Sequence, residues 1–262
     1  MDAVVIAGGR IHGELVDREG VGVKALLNVN SSSLLERAVA ALRATSGIGR
    51  ICVVGPREVE GIARGAGADL FADEGATGID NIMRGLDALG ARGHVLCAAS
   101  DLPFVRPGDI EKLIESTPPE AQLGYAIFSR GEFEALFPGG SELFAPLSDG
   151  DFRGGSIVVL DADLLRAIEP VLQRAFAARK SVSGMARLFG PVLFLRIVLG
   201  RFVYRPIGPS SEDVRRRAEH MLSCGCAIVR GCSPRLAADV DDLEDWNALQ
   251  HAFSGLSDAA IV

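Results

Sequence analysis

Short apolar runs alternate along the chain with stretches in which apolar residues recur every three to four positions, the pattern of strands interleaved with amphipathic helices. Ala3 to Ala7 reads as a buried strand that stops at Gly8-Gly9, and a polar, glycine-rich loop follows it through Val23. Leu34, Leu35, Ala38, Val39 and Leu42 fall on one helical face, with Ser33 placed to cap the helix start. Ile51 to Val54 predicts a second strand closed by Gly55-Pro56, and a short run at Asp69 to Ala72 a third. Ile82, Met83, Leu86 and Leu89 mark a helix over 79–89. Val95 to Ala99 predicts the next strand, which runs straight into Ser100-Asp101-Leu102-Pro103. Pro107 then suits the first turn of a helix that reaches Ser116.

In the second half, Leu123 to Phe128 predicts a strand and residues 129–153 an irregular stretch with four phenylalanines among Gly, Pro and Ser. Ile157 to Leu160 follows Gly154-Gly155 as another strand, and two helices are expected between Asp161 and Arg179. Met185 to Val203 is the most apolar part of the chain. Arg187, Arg196, Arg201 and the Gly190-Pro191 break argue against a transmembrane span there, so the expectation is a buried helical segment, or one covering an apolar neighbour. A helix over Ser211 to Leu222 comes next, with Arg215-Arg216-Arg217 on a solvated face. Cys226 to Val229 and Ala237 to Val240 are read as closing strands, and a last helix runs from near Asp242 to about Phe253. This alternation predicts an α/β fold of three layers around a mostly parallel sheet. No repeat or linker interrupts it, so 1–262 is expected to form one domain, with an apolar helical insertion around 170–222.

Composition narrows the function. The 262 residues are 48% hydrophobic but only 6% aromatic, so aliphatic side chains must fill a large core. A net charge of −7 argues against a general nucleic-acid or anionic-membrane binder. Five cysteines are too few and too irregular for a disulfide framework. Cys224 and Cys226 lack the two-residue gap of structural zinc sites, so reduced thiols are expected. Met1-Asp2-Ala3 carries no basic segment of a secretory leader, which makes the expected compartment the cytoplasm.

Ligands of open parallel sheets bind outside the carboxyl ends of the strands, which selects three loops. In the first, Gly8-Gly9-Arg10 lets backbone N–H groups approach phosphate oxygens, and Lys24 can fold back as a point charge on the same phosphates. Neither a Walker A loop nor a dinucleotide G-x-G-x-x-G is present. In the second, Asp101 sits at the tip of a buried strand, where a carboxylate needs a cation or donors. Mg²⁺ takes one or two carboxylates plus substrate phosphates. In the third, Asp239 and Asp241 share one side of an extended segment with Val240 on the other, so either offers a second metal carboxylate. Asp242, Glu244 and Asp245 are read as the cap and first turn of the last helix.

These residues together resemble a known family. AVVIAGGR at 3–10, Lys24 in VKALLNV, Asp101 in SDLPF and DVDDLEDW at 239–246 are similar to the motifs of nucleotidyltransferases of the molybdenum-cofactor guanylyltransferase type. The resemblance implies a Rossmann-like mixed sheet of the glycosyltransferase-A, or nucleotide-diphospho-sugar transferase, type. It implies that Ala7, Gly8 and Gly9 line the base and ribose, that Arg10 begins the phosphate loop and that Lys24 contacts the phosphates. Asp73, Gly78 and Asn81 fall where that family reads the base, Asp101 where it ligates Mg²⁺, and Asp241 at its second metal position. Gly155 and Ser156, in GGSIVVL, match the acceptor-side strand of sugar nucleotidyltransferases. Ile11-His12-Gly13-Glu14 departs from the family loop: either Arg18 supplies its missing cation or Glu14 meets the metal.

The reaction so implied is Mg²⁺-dependent transfer of a nucleoside monophosphate from a nucleoside triphosphate to a phosphorylated small-molecule acceptor, releasing pyrophosphate. A nucleotide-sugar-dependent glycosyltransferase and a catalytically silent nucleotide-binding homologue are the rival expectations. Assembly with further copies of the chain stays open.

Overall fold

Strand β1 (Asp2–Ile6) carries three fully buried residues in succession, Ala3, Val4 and Val5, as a strand covered on both faces must. It lies inside an eight-stranded sheet with the order β10-β7-β9-β6-β1-β4-β5. The partners are β4 (Ile51–Gly55), β5 (Leu70–Asp73), β6 (His94–Ala99), β7 (Leu123–Ser129), β9 (Gly150–Asp161) and β10 (Cys226–Val229). The short β8 (Ala145–Leu147) adds to β9, and β2 (Asn28–Val29) pairs only with β3 (Ser32–Ser33). Within the large sheet pairing is parallel except around β9, which runs antiparallel to β6, β7 and β8. This is the mixed, mostly parallel three-layer sheet that the alternating pattern predicts. The computed structural model describes residues 1–138, 143–178 and 190–255.

The two-residue period of the strands assigns the faces. Ala3, Val5, Ile51, Val53, Leu96 and Ala98 pack with α2 (Leu34–Ala44), α3 (Glu60–Gly65) and α5 (Pro107–Ser116). Val4, Cys52, Val54, Val95 and Cys97 point the other way, onto α4 (Gly78–Leu89) and α7 (Ala162–Ala178). Ser33 caps α2 in a reciprocal capping box with Glu36, as its sequence position predicts. Thr77 and Asp80 do the same for α4. A third, small cluster of Ile11, Leu15, Leu27, Val29, Leu34, Val240 and Trp246 joins α1 (Glu14–Glu19) to α10 (Leu243–Gly255). Trp246 is fully buried there, and its indole N–H donates to Glu19 at 2.7 Å.

Four sequence expectations are corrected. A single helix, α7, fills 162–178 in place of two, with Pro170 inside it; Arg179 lies outside the described residues. The stretch 129–153, of which 139–142 lie outside the described residues, carries regular elements at both ends: α6 (Arg130–Leu136) is capped by Ser129, and β9 begins at Gly150, so the strand is twelve residues long. Ala237 to Val240 forms no strand, because a 3-10 turn over Pro234–Ala237 ends there and Val240 is drawn into the small cluster instead. The apolar stretch yields α8 (Pro191–Phe202), but on the surface rather than buried: Val192 is 73% and Leu195 56% exposed. Residues 185–189 of that stretch lie outside the described residues. A helix α9 (Ser211–Leu222) follows as expected.

Helix α4 approaches β1 so closely that a Cβ on Gly85 would stand 2.4 Å from a methyl of the fully buried Val4 and 3.1 Å from Val54. Both neighbours are β-branched and held by the sheet, so neither can turn away. Gly85→Val is therefore expected to lower stability by about 2 kcal/mol or more through overpacking. Denaturant melts of the two proteins check this; an unchanged midpoint would mean that helix and sheet are looser than described.

Candidate active site

The loop after β1 is an excursion that returns on itself. Arg10 and Val23 form an isolated antiparallel bridge, Ile11 N–H donates to Gly22 at 3.1 Å, and Lys24 N–H donates to Gly9 carbonyl at 3.0 Å. Helix α1 closes the excursion by burying Leu15 in the small cluster. The consequence is that Lys24 lies across Gly9, whose missing Cβ would meet the lysine chain at 3.3 Å. Lys24 is thus placed by backbone pairing, and its side chain is directed to the end of β6.

There it reaches a cluster of three carboxylates and contacts two of them. Asp101, two residues beyond β6, is buried, and its Oδ2 stands 3.4 Å from Lys24 Nζ. Asp241 Oδ1 accepts from the same Nζ at 2.5 Å. Oxygens of Asp101, Asp239 and Asp241 all lie within 4.8 Å of one another. The third loop explains the convergence: Val240 is buried, so Asp239 and Asp241 on either side of it share the opposite face. Asp242 accepts from Glu244 and Asp245 N–H at the start of α10, as its cap position predicts. Both aspartates therefore reach the same cluster, where the family resemblance singled out Asp241.

Burial and neighbouring charge oppose each other here. Burial pushes the Asp101 carboxyl up to about 6, Lys24 pulls it down, and Asp239 and Asp241 push it up again. Burial lowers the Lys24 ammonium, yet Asp101 and Asp241 outweigh this and leave it above its ordinary value. Asp239 has its own cation: Arg153, half-buried on β9, donates Nη2–H to Asp239 at 2.5 Å and Nε–H to Ala237 carbonyl at 2.9 Å. Sequence reading passed over Arg153, which is one arginine among many until the fold brings it to the acids.

On one side of this cluster lies the Gly8 wall. Gly8 faces Glu74 and Asn81, whose side chains occupy the place a Cβ would take, at 2.5 and 3.1 Å. Asn81 is buried and accepts from Gly75 N–H, while Gly78 opens α4. Asp73 turns elsewhere, to Arg57 at 2.7 Å. Arg10 is exposed, donates to Gly8 carbonyl at 2.7 Å and pairs with Glu74, a carboxylate the sequence did not single out. Ala7 is buried, with its N–H spent on Val54 carbonyl. On the other side β9 runs past the end of its pairing with β6, carrying Arg153, Gly154, Gly155 and the half-buried Ser156. A Cβ on Gly154 would overlap the Tyr125 hydroxyl, and one on Gly155 would stand 3.4 Å from Leu236 carbonyl. Arg18 donates to Asn247 and Gln250 on α10, and Glu14 is exposed and outside the acid cluster, so neither adaptation expected for the altered loop is realised in this arrangement.

Comparison with known proteins fits this geometry. Residues 3–188 match the MobA-like NTP transferase domain. A hypothetical transferase from Thermus thermophilus is 30% identical and superposes with a TM-score of 0.80 over 93% of this chain and 98% of its own. A nucleotidyl transferase from Methanothermobacter thermautotrophicus, 19% identical, gives 0.56 over 97% of both chains. A 4-diphosphocytidyl-2C-methyl-D-erythritol synthase from Anaerococcus prevotii, 12% identical, gives 0.58 over 97% of this chain and 95% of that one, a likeness of fold alone. A sequence search among curated proteins returns no match. With most of its length inside the matched domain and the fold shared throughout, the chain belongs to the MobA-like NTP transferase family and is a nucleotidyltransferase.

Proposed function

We propose that the enzyme moves a nucleoside monophosphate from a nucleoside triphosphate to a phosphorylated small-molecule acceptor, with Mg²⁺ held by Asp101, Asp239 and Asp241. The observation that carries this reading is the approach of three carboxylates to within 4.8 Å of one another beside one lysine. Like charges gathered this closely are costly, and Lys24 with Arg153 leaves the cluster one positive charge short of neutrality. The donor set is all hard oxygen, without histidine or thiolate, which suits Mg²⁺ rather than zinc. Bound there, Mg²⁺ would offset charge on the triphosphate and polarise the phosphorus under attack.

The chain's own groups supply positioning and charge. An acceptor phosphate oxygen forms a bond to the α-phosphorus, the bond from that phosphorus to the bridging oxygen of the β-phosphate breaks, and pyrophosphate leaves with the electron pair. The attacking phosphate is already ionised at neutral pH, so no general base is required, in keeping with the absence of histidine from the converging groups described above. Lys24 Nζ is the cation set to meet negative charge growing on the phosphates. The Gly8-Gly9 turn, with Glu74 and Asn81 against Gly8 and the Lys24 chain against Gly9, borders the nucleotide side. Gly154, Gly155 and Ser156 border the opposite, acceptor side.

Pyrophosphate release, followed for a panel of triphosphates with phosphorylated acceptors, tests the reading; release of a nucleoside diphosphate from a nucleotide sugar would replace it with glycosyl transfer. Lys24→Ala is expected to cost ~2–4 kcal/mol of transition-state stabilisation, a drop in kcat/KM of roughly thirtyfold to a thousandfold. Asp101→Asn is expected to abolish the Mg²⁺-dependent thermal shift given by a triphosphate. Without metal the same variant has the opposite signature. A carboxyl raised to about 6 on folding stabilises the protein fully below its unfolded value near 4, and that contribution is lost as pH rises through 6. Wild type should therefore lose stability relative to Asp101→Asn between pH 4 and 7, which thermal melts in chelator read directly.

A further inference from the structure

Strand β9 is irregular where it passes the end of β6. Its pairing with β6 stops at Ile157, opposite Ala98, and its register against β7 jumps from Val158, opposite Tyr125, to Gly154, opposite Ile127. Gly155, Ser156 and Ile157 thus face the single residue Ala126, which makes a bulge at the sheet end beside the acid cluster. Gly155 and Ile157 turn to the first core, against Ala126 and Leu236. Gly154, Ser156 and Val158 fall on the other side, the one that carries Tyr125.

Leu123, two residues earlier on the same face of β7, packs in a cluster with Leu164, Ile168 and Leu172 of α7. That cover ends at Tyr125, which is 37% exposed. A surface tyrosine ordinarily gains by turning its hydroxyl to water. Here the ring lies across β9, its hydroxyl end filling the place that a Cβ would take on Gly154. The preceding residue, Arg153, holds Asp239, and both charges act on the hydroxyl. Burial pushes its pKa up, Asp239 adds to this and Arg153 opposes it, so the group stays an O–H at neutral pH. Half-buried Ser156 offers a second hydroxyl on the same side. Among the described residues neither hydroxyl has a hydrogen-bond partner, whereas Gln173 of α7 is engaged with Asp80 and Thr77.

We infer that Tyr125 is a specificity-determining residue which, together with Ser156, hydrogen-bonds hydroxyl groups on the body of the acceptor. The inference rests on the transfer reaction proposed above and names the chemistry that its acceptor carries besides the phosphate. Two neutral hydroxyls, each able to donate and to accept, match a body whose own polar groups are hydroxyls. An acceptor with an apolar body would displace water from both and leave them without partners. A second phosphate would call for a cation, and Arg153 beside them is already committed to Asp239 and the Ala237 carbonyl. Gly154 fixes the placing, since any larger residue there would lift the ring from β9.

Pyrophosphate release from a triphosphate with Mg²⁺ is followed with glycerol, ribitol and hexose monophosphates and with butyl phosphate, which has no hydroxyl on its body. The hydroxylated phosphates are expected to be used at least about tenfold better. Tyr125→Phe keeps the ring over Gly154 and removes only the hydroxyl. It is expected to raise KM for the hydroxylated phosphates about fivefold to tenfold, and to leave KM for butyl phosphate and for the triphosphate unchanged. A merely structural role would move all of these together. Gly154→Ala, with its fold checked by circular dichroism, is expected to show the same selective loss. Butyl phosphate used as well as the others, or an unchanged KM for the hydroxylated phosphates in Tyr125→Phe, overturns the inference. So does a protein that gives the Mg²⁺-dependent thermal shift with a triphosphate yet releases no pyrophosphate with any hydroxylated phosphate. Without that thermal shift the transfer reading itself falls, and the inference with it.

Discussion

Three negatively charged groups converge beside Lys24, two of them in contact with it, and the rest of this end of the molecule is arranged to tolerate that. Isolated, the Asp101 carboxylate would be driven to protonate by its burial alone. Lys24 lies between it and Asp241, while Arg153 answers Asp239 from the other side. The two cations come from different parts of the fold, one from the loop after β1 and one from the antiparallel strand β9. A fold lacking either feature would leave an uncompensated acid against the sheet end.

Apolar contacts hold the charges in place. Val240 and Trp246 bind the segment carrying Asp239 and Asp241 to Ile11, Leu15 and Leu27, which belong to the loop that presents Lys24. The same small cluster therefore sets both halves of the charge arrangement, far apart in sequence though they are. Its burial is cooperative with the core of α2 through Leu34. Electrostatic precision at the site rests in this way on a handful of aliphatic side chains and one indole, which is where a loosening of structure would first be felt in function.

β9 has a second role. Its antiparallel course between β6 and β7 lets its first half continue beyond the parallel strands, so Arg153, Gly154 and Gly155 border the site from the side opposite the glycine turn. Asp151, two residues earlier, accepts from Arg205 and thereby joins this strand to the turn after α8.

The strand and helix order, the parallel core of the sheet, the Ser33 cap and the roles of Lys24 and Asp101 as charged strand-end groups could be read from the chain itself. Each depends on local periodicity or on a residue type whose burial demands a partner. Val240 between two aspartates was legible for the same reason, since alternation along an extended segment fixes which side chains share a face. Arg153, Glu74 and the turning of Asp73 towards Arg57 were not, because a charged residue in a strand or loop carries no local sign of the partner that the fold brings to it. The length of β9 was hidden by glycines whose purpose, making room for Tyr125 and the Leu236 carbonyl, exists only in three dimensions. Which side of α8 stays exposed was not legible either, because hydropathy records only what a side chain prefers. Only the tertiary contacts of Arg196 and Gly200 decide which side of the helix remains outside.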